Sequence, residues 1–111
     1  MTTLLAVETV NDAASLCDGL ADRDLSTLHA VHVFAPDADP TARRDGAEAL
    51  NVVRSRLGAR ATVRLHRPED DVVDGIAAVA NEAGADEVLV ASDSPTAQAL
   101  RERGLSVVVP A

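Results

Sequence analysis

Histidines, hydroxyls and carboxylates are the side chains here that could do chemistry, and their spacing decides which chemistry is open to them. His29 and His32 stand three apart in the apolar run TLHAVHVFA, residues 27–35. On a strand, residues an odd number apart point to opposite faces. The pair cannot chelate one ion, and His32 reads as a buried, hydrogen-bonded strand residue. His66 has no cysteine or carboxylate cluster of ligand spacing beside it, so no metal site is expected. Ser92, Ser94 and Thr96 follow another apolar run, DEVLVA, residues 86–91. A nucleophile elbow requires Gly-x-Ser-x-Gly at a sharp turn, and Ser92-Asp93-Ser94-Pro95 contains no glycine. Ser94 before Pro95 has instead the form of a helix cap with proline at the first helical position. Glu69, Asp70, Asp71 and Asp74 could gather a divalent cation, but they also suit the positive end of a helix dipole. No catalytic residue emerges, and the chain is not expected to be an enzyme.

The elements that must position these residues alternate between two periods along the whole chain. Apolar runs at 3–7, 27–35, 61–66, 85–91 and 105–109 read as strands. The run at 61–66 alternates with polar residues, which suits an edge or near-edge strand. Between the runs lie four amphipathic stretches. The first is capped by Asn11-Asp12, with Ala14, Cys17, Leu20 and Ala21 on one face. The second covers 41–57, carries the stripe Ala47, Leu50, Val53 and Leu57, and stops at Gly58. The third opens at Pro68 with its acidic cluster and buries Val72, Val73, Ile76, Ala80 and Ala83 before Gly84. The fourth is short, from Ser94 to Gly104, with Ala97 and Leu100 inward. Strands separated by helices imply parallel pairing through right-handed crossovers. One α/β domain, a doubly wound parallel sheet with helices on both faces, is the expected architecture over residues 1–111.

Composition narrows the partners. The 111 residues carry a formal net charge of -8, and Phe34 is the sole aromatic. An acidic surface disfavours nucleic acid and anionic membranes, and base stacking on aromatic side chains is not available. All ten basic residues are arginine. That bias reads either as adaptation to a salty cytosol, where screening relieves self-repulsion, or as the imprint of a GC-rich genome. Cys17 stands alone, so no internal disulfide or CxxC motif exists. No signal peptide is recognised and no apolar run approaches the roughly 18 residues of a membrane span. A cytoplasmic location is expected.

Several fragments, in order, resemble the universal stress protein family. TLLAVE (3–8) resembles that family's first strand running into an acidic residue. LHAVHVF (28–34) resembles its second strand, with a histidine before the final apolar pair. RPEDDVVDGIAAVANEAGADEVLVAS (67–92) is similar to its signature of proline, acidic helix start, Ala-rich helix, Gly-Ala-Asp and strand. LSVVVP (105–110) looks like its closing strand. The resemblance spans nearly the full length. It implies a five-stranded sheet in the order 3-2-1-4-5 and ATP binding at the C-terminal strand ends. It also implies a homodimer formed by the last strand, through Leu105, Val107 and Val109.

The phosphate loop departs from that pattern. The family carries Gly-x-x-Gly after the fourth strand, then a segment, then Gly-Ser or Gly-Thr. Here both glycines of the first pair and the segment are missing, Asp93 stands at the later glycine, and only Ser94 matches the phosphate-contacting hydroxyl. Asp93 is expected to repel a triphosphate, with no lysine to offset it and Arg101 and Arg103 further along the helix. Glu8 takes the place of the family's nucleotide-contacting Asp. It reads as a ribose or adenine ligand or as a solvated loop carboxylate. Val33 and Phe34 would border the same crevice or serve the core. No cofactor is expected to be held tightly. The alternative is an adenine nucleotide, ATP or AMP, held weakly by Glu8, Val33, Ser92 and Ser94. The expected function is a stress-response or regulatory domain acting through an unidentified protein partner.

Overall fold

The computed structural model describes residues 2–20, 27–33, 37, 39–58, 61–66 and 71–109. Five strands and four helices alternate strictly: β1 (Thr2–Ala6), α1 (Val10–Gly19), β2 (Thr27–Val33), α2 (Pro40–Leu57), β3 (Ala61–His66), α3 (Val72–Ala83), β4 (Glu87–Leu89), α4 (Pro95–Glu102) and β5 (Val107–Val108). All strand pairs are parallel. The sheet order is β3-β2-β1-β4-β5, as the resemblance implied, and β3 is an edge strand, as its alternation implied.

The period-two alternation of the strands divides the core in two. Leu5 and Val7 of the first strand region, Leu28 and Ala30 of β2, and Leu89 of β4 face α1 and α2, where they meet Leu16, Cys17, Leu50 and Val53. Leu4, Ala6, Val31, Val33, Val88 and Val90 face the other way, onto Ile76, Val79 and Ala80 of α3 and Ala97 and Leu100 of α4. Central strands buried on both faces read as unbroken apolar runs, which is why TLLAV and EVLV show no polar interruption. Cys17 is one of these core residues. Burial pushes its thiol above the ordinary value; Arg56 opposes this less strongly, and Asp18 adds a smaller upward push. Little thiolate forms at neutral pH, so reactivity is low.

Helix starts differ from the expectation at three places. The cap of α1 is Thr9, whose hydroxyl accepts the Asp12 N–H at 3.1 Å, so Asn11-Asp12 lie inside the first turn. That phase buries Ala13 and Leu16 and leaves Ala14 half-buried. Helix α3 opens at Val72 on an Asp71 cap, whose carboxylate accepts the Asp74 N–H at 2.7 Å. Pro68, Glu69 and Asp70 lie outside the described residues, as do Phe34, Ala21 and the His66 side chain. Helix α2 starts one residue before the expected 41, on an Asp39 cap followed by Pro40, and α4 follows the expected pattern of cap plus proline, with Ser94-Pro95. The β5 ladder is only two residues long, shorter than the apolar run at 105–109.

The Gly-Ala-Asp segment has a clear mechanical role. Gly84 ends α3 in the left-handed region at φ +66, a conformation that costs a residue with a Cβ. Ala85 packs beneath the α3 face. Asp86 then clamps the start of β1: its carboxylate accepts the Thr2 N–H at 2.8 Å, and its own N–H donates to the Thr2 carbonyl at 2.7 Å. No helix among the described residues is long and apolar enough to cross a membrane.

Candidate functional site

In an open parallel sheet, a crevice forms at the C-terminal strand ends where successive crossovers turn to opposite sides. The order β3-β2-β1-β4-β5 places that switch between β1 and β4. A shallow cleft, open to solvent, lies there, far smaller than the enclosed pockets usual for small molecules. Ala6 and Glu8 line it from the end of β1, Asp12 from α1, Val90, Ala91 and Ser92 from the end of β4, and Ser94 and Thr96 from the start of α4.

The cleft thus brings together Glu8, Ser92 and Ser94, three of the four residues singled out from the sequence. Val33 is not among them. It is 6% exposed and packs against the α3 side of the sheet with Val31 and Ile76. The reason is lateral distance, because β2 lies one strand away from the switch. Thr96, grouped from the sequence with Ser92 and Ser94, lines it too, whereas Asp12 was read only as a helix cap. Asp12 was legible in principle: it follows Glu8 by four residues and opens α1, so both carboxylates can reach one place.

The hydrogen bonding at the start of α4 decides what the cleft can hold. A helix N-terminus binds phosphate through backbone N–H groups that lack partners. Here the Ser94 N–H donates to the Ser92 carbonyl at 3.0 Å. Pro95 has no N–H. The Ala97 N–H donates to the Ser94 hydroxyl at 3.3 Å. Ser94 Oγ keeps its own hydrogen as a donor, and Ser92 is exposed. No arginine lines the cleft among the described residues, whereas two carboxylates do.

One electrostatic expectation is corrected. Asp93 does not stand uncompensated beside the site, because Arg101 reaches back along α4 and its Nη1 donates to Asp93 Oδ1 at 2.7 Å. Both side chains are about half exposed, so the pair is worth only about 0.2–1 kcal/mol, yet it cancels the local charge. Arg103 is likewise engaged, with Asp74 of α3. The negative character of the cleft comes from Glu8 and Asp12 instead.

The fold is that of the universal stress proteins. A universal stress protein family member from Burkholderia pseudomallei superposes with a TM-score of 0.73 at 24% identity, covering 99% of this chain and 96% of that one. A universal stress protein from Archaeoglobus fulgidus gives 0.72 at 17% identity, covering 98% and 92%. A structure of the universal stress protein from Archaeoglobus fulgidus in complex with dAMP gives 0.71 at 16% identity, covering 98% and 96%. No protein-family model matches the sequence, and no curated protein matches it by sequence. The universal stress fold is therefore shared nearly end to end, while few residues are.

Proposed function

We propose that this chain is a cytoplasmic, non-catalytic regulatory domain of the universal stress type, paired with a second copy through β5, that does not hold ATP tightly. The observation that carries the reading is the hydrogen bonding between β4 and α4. The Ser94 N–H is taken by Ser92, Pro95 offers none, and the Ala97 N–H is capped. A triphosphate entering the cleft finds few donors and meets Glu8 and Asp12. Pairing through β5 is supported by its place at the sheet edge, where one side has no strand partner among the described residues. Leu105, Val107 and Val109 are only half-buried there.

Calorimetric titration of Mg-ATP into protein checked beforehand for co-purified nucleotide is the test. No heat at ligand concentrations up to millimolar is expected, and micromolar binding would overturn the reading. Sedimentation across micromolar concentrations tests the pairing, and a monomer throughout removes it.

A second reading is favoured by one comparison. The Archaeoglobus fulgidus protein is in complex with dAMP, a monophosphate, and a monophosphate brings less charge to the two carboxylates than ATP does. In that reading Glu8 accepts from ribose hydroxyls and the hydroxyls of Ser92 and Ser94 donate to the phosphate. Titration with AMP separates the two, since only the second predicts heat.

A further inference from the structure

The base of the cleft is braced from outside it. His32 lies at the C-terminal end of β2, is 9% exposed, and faces α2 rather than the cleft. Its Nδ1 lies 2.8 Å from the carbonyl oxygen of Val7. A carbonyl only accepts, so Nδ1 must carry the hydrogen. Val7 sits between Ala6 and Glu8, both of which line the cleft, and its own N–H donates to Val31 at 2.9 Å. Val7, the residue that leads into Glu8, is therefore held through both its N–H and its C=O from one neighbouring strand.

The other side of the imidazole is enclosed by α2. Gly46 sits in the buried stripe of that helix, and a Cβ added there would overlap Cδ2 and Nε2 of His32. Glycine inside a helix is less stable than alanine, and here it leaves room for the ring. A mid-helix glycine is a sequence signal of close approach.

We propose that His32 is a positioning residue for the cleft. Seated on Gly46 as its Nδ1–H form, it fixes the Val7 carbonyl and so sets where Glu8 and the Thr9 cap of α1 leave the sheet. The inference concerns the shape of the cleft and not its occupant. A failed nucleotide titration leaves it standing, and its own failure leaves the nucleotide reading untouched.

Two measurements on the full chain test it. Long-range proton–nitrogen NMR of the wild type should show His32 protonated at Nδ1, and a neutral ring protonated only at Nε2 overturns the proposal. The second uses His32→Leu, which keeps bulk without a donor, and His32→Asn, which restores a donor near the Nδ1 position. In His32→Leu the Val7 amide should exchange about tenfold faster, with shifted Glu8 and Thr9 amide resonances. The Val88 and Val90 amides, bonded to Ser106 and Val108, should keep their protection. His32→Asn should recover the Val7 protection. Uniform loss across the Val7, Val88 and Val90 amides, no change at Val7, or equal loss in both variants each overturns the proposal. If neither variant folds, the wild-type proton position decides alone.

Discussion

At the N-terminal end of the β1–β4 pair, polar side chains are turned onto one another; at the C-terminal end of the same two strands they face an open cleft. Thr3 and Glu87 are register partners, both buried, and Thr3 Oγ1 donates to Glu87 Oε1 at 3.3 Å. Next to them Asp86 clamps Thr2. Five residues beyond Thr3 and past the end of β1, Glu8 stands exposed at the cleft, with Asp12 beside it. Carboxylates therefore serve one end as acceptors inside the fold and the other as charges directed at whatever enters. Residues at the closed end should govern stability, and residues at the open end should govern binding with little effect on stability.

The sharpest way to break that contrast is Thr3→Val. It keeps the shape of a wholly buried side chain but withdraws a hydrogen bond from a buried carboxylate, so urea denaturation should show a loss of about 1–2 kcal/mol. A loss below the measurement error would mean that the closed end is not held by its polar pairs. Ser94→Ala tests the boundary between the two roles. Loss of the α4 cap should cost about 1 kcal/mol, visible as a lowered Tm. At the open end, Glu8→Gln with Asp12→Asn should change stability by no more than about 0.5–1 kcal/mol, mainly through the weaker support of the α1 dipole by Asp12. Calorimetry should nevertheless show AMP binding more tightly, because the two charges opposing a phosphate are gone. Unchanged or weaker AMP binding would identify Glu8 as a ribose contact, not an obstacle. The smallest effect belongs to Arg101→Gln. Its exposed pair with Asp93 contributes about 0.2–1 kcal/mol, and its removal should make anion binding weaker at low salt and leave it unaltered at high salt.

The parts of this molecule that repeat were readable from the chain alone. Strand and helix periods, the Ser94-Pro95 start and the Gly84 stop all rest on short-range rules, because each is satisfied within a few residues. The reading slipped where several adjacent residues could meet the same local need. Thr9, Asn11 and Asp12 are all acceptable caps, and Thr9 serves because β1 ends at Ala6 and the Val7 N–H still pairs with Val31. Val33 ends its strand near the crevice and could by sequence border it or serve the core; strand order sets it one position away, in the core.

By itself, the sequence determined the alternation of strands and helices, the two-sided burial of the central strands and the absence of a glycine-rich phosphate loop, since these depend on residue type and spacing along one segment. Tertiary structure alone decided that Asp12 joins Glu8 in the cleft, that Arg101 neutralises Asp93, and that Gly46 seats His32 beneath Val7. Each of these depends on where an element ends and how it lies against its neighbour, and that geometry is set by the packing of the whole sheet and its helices.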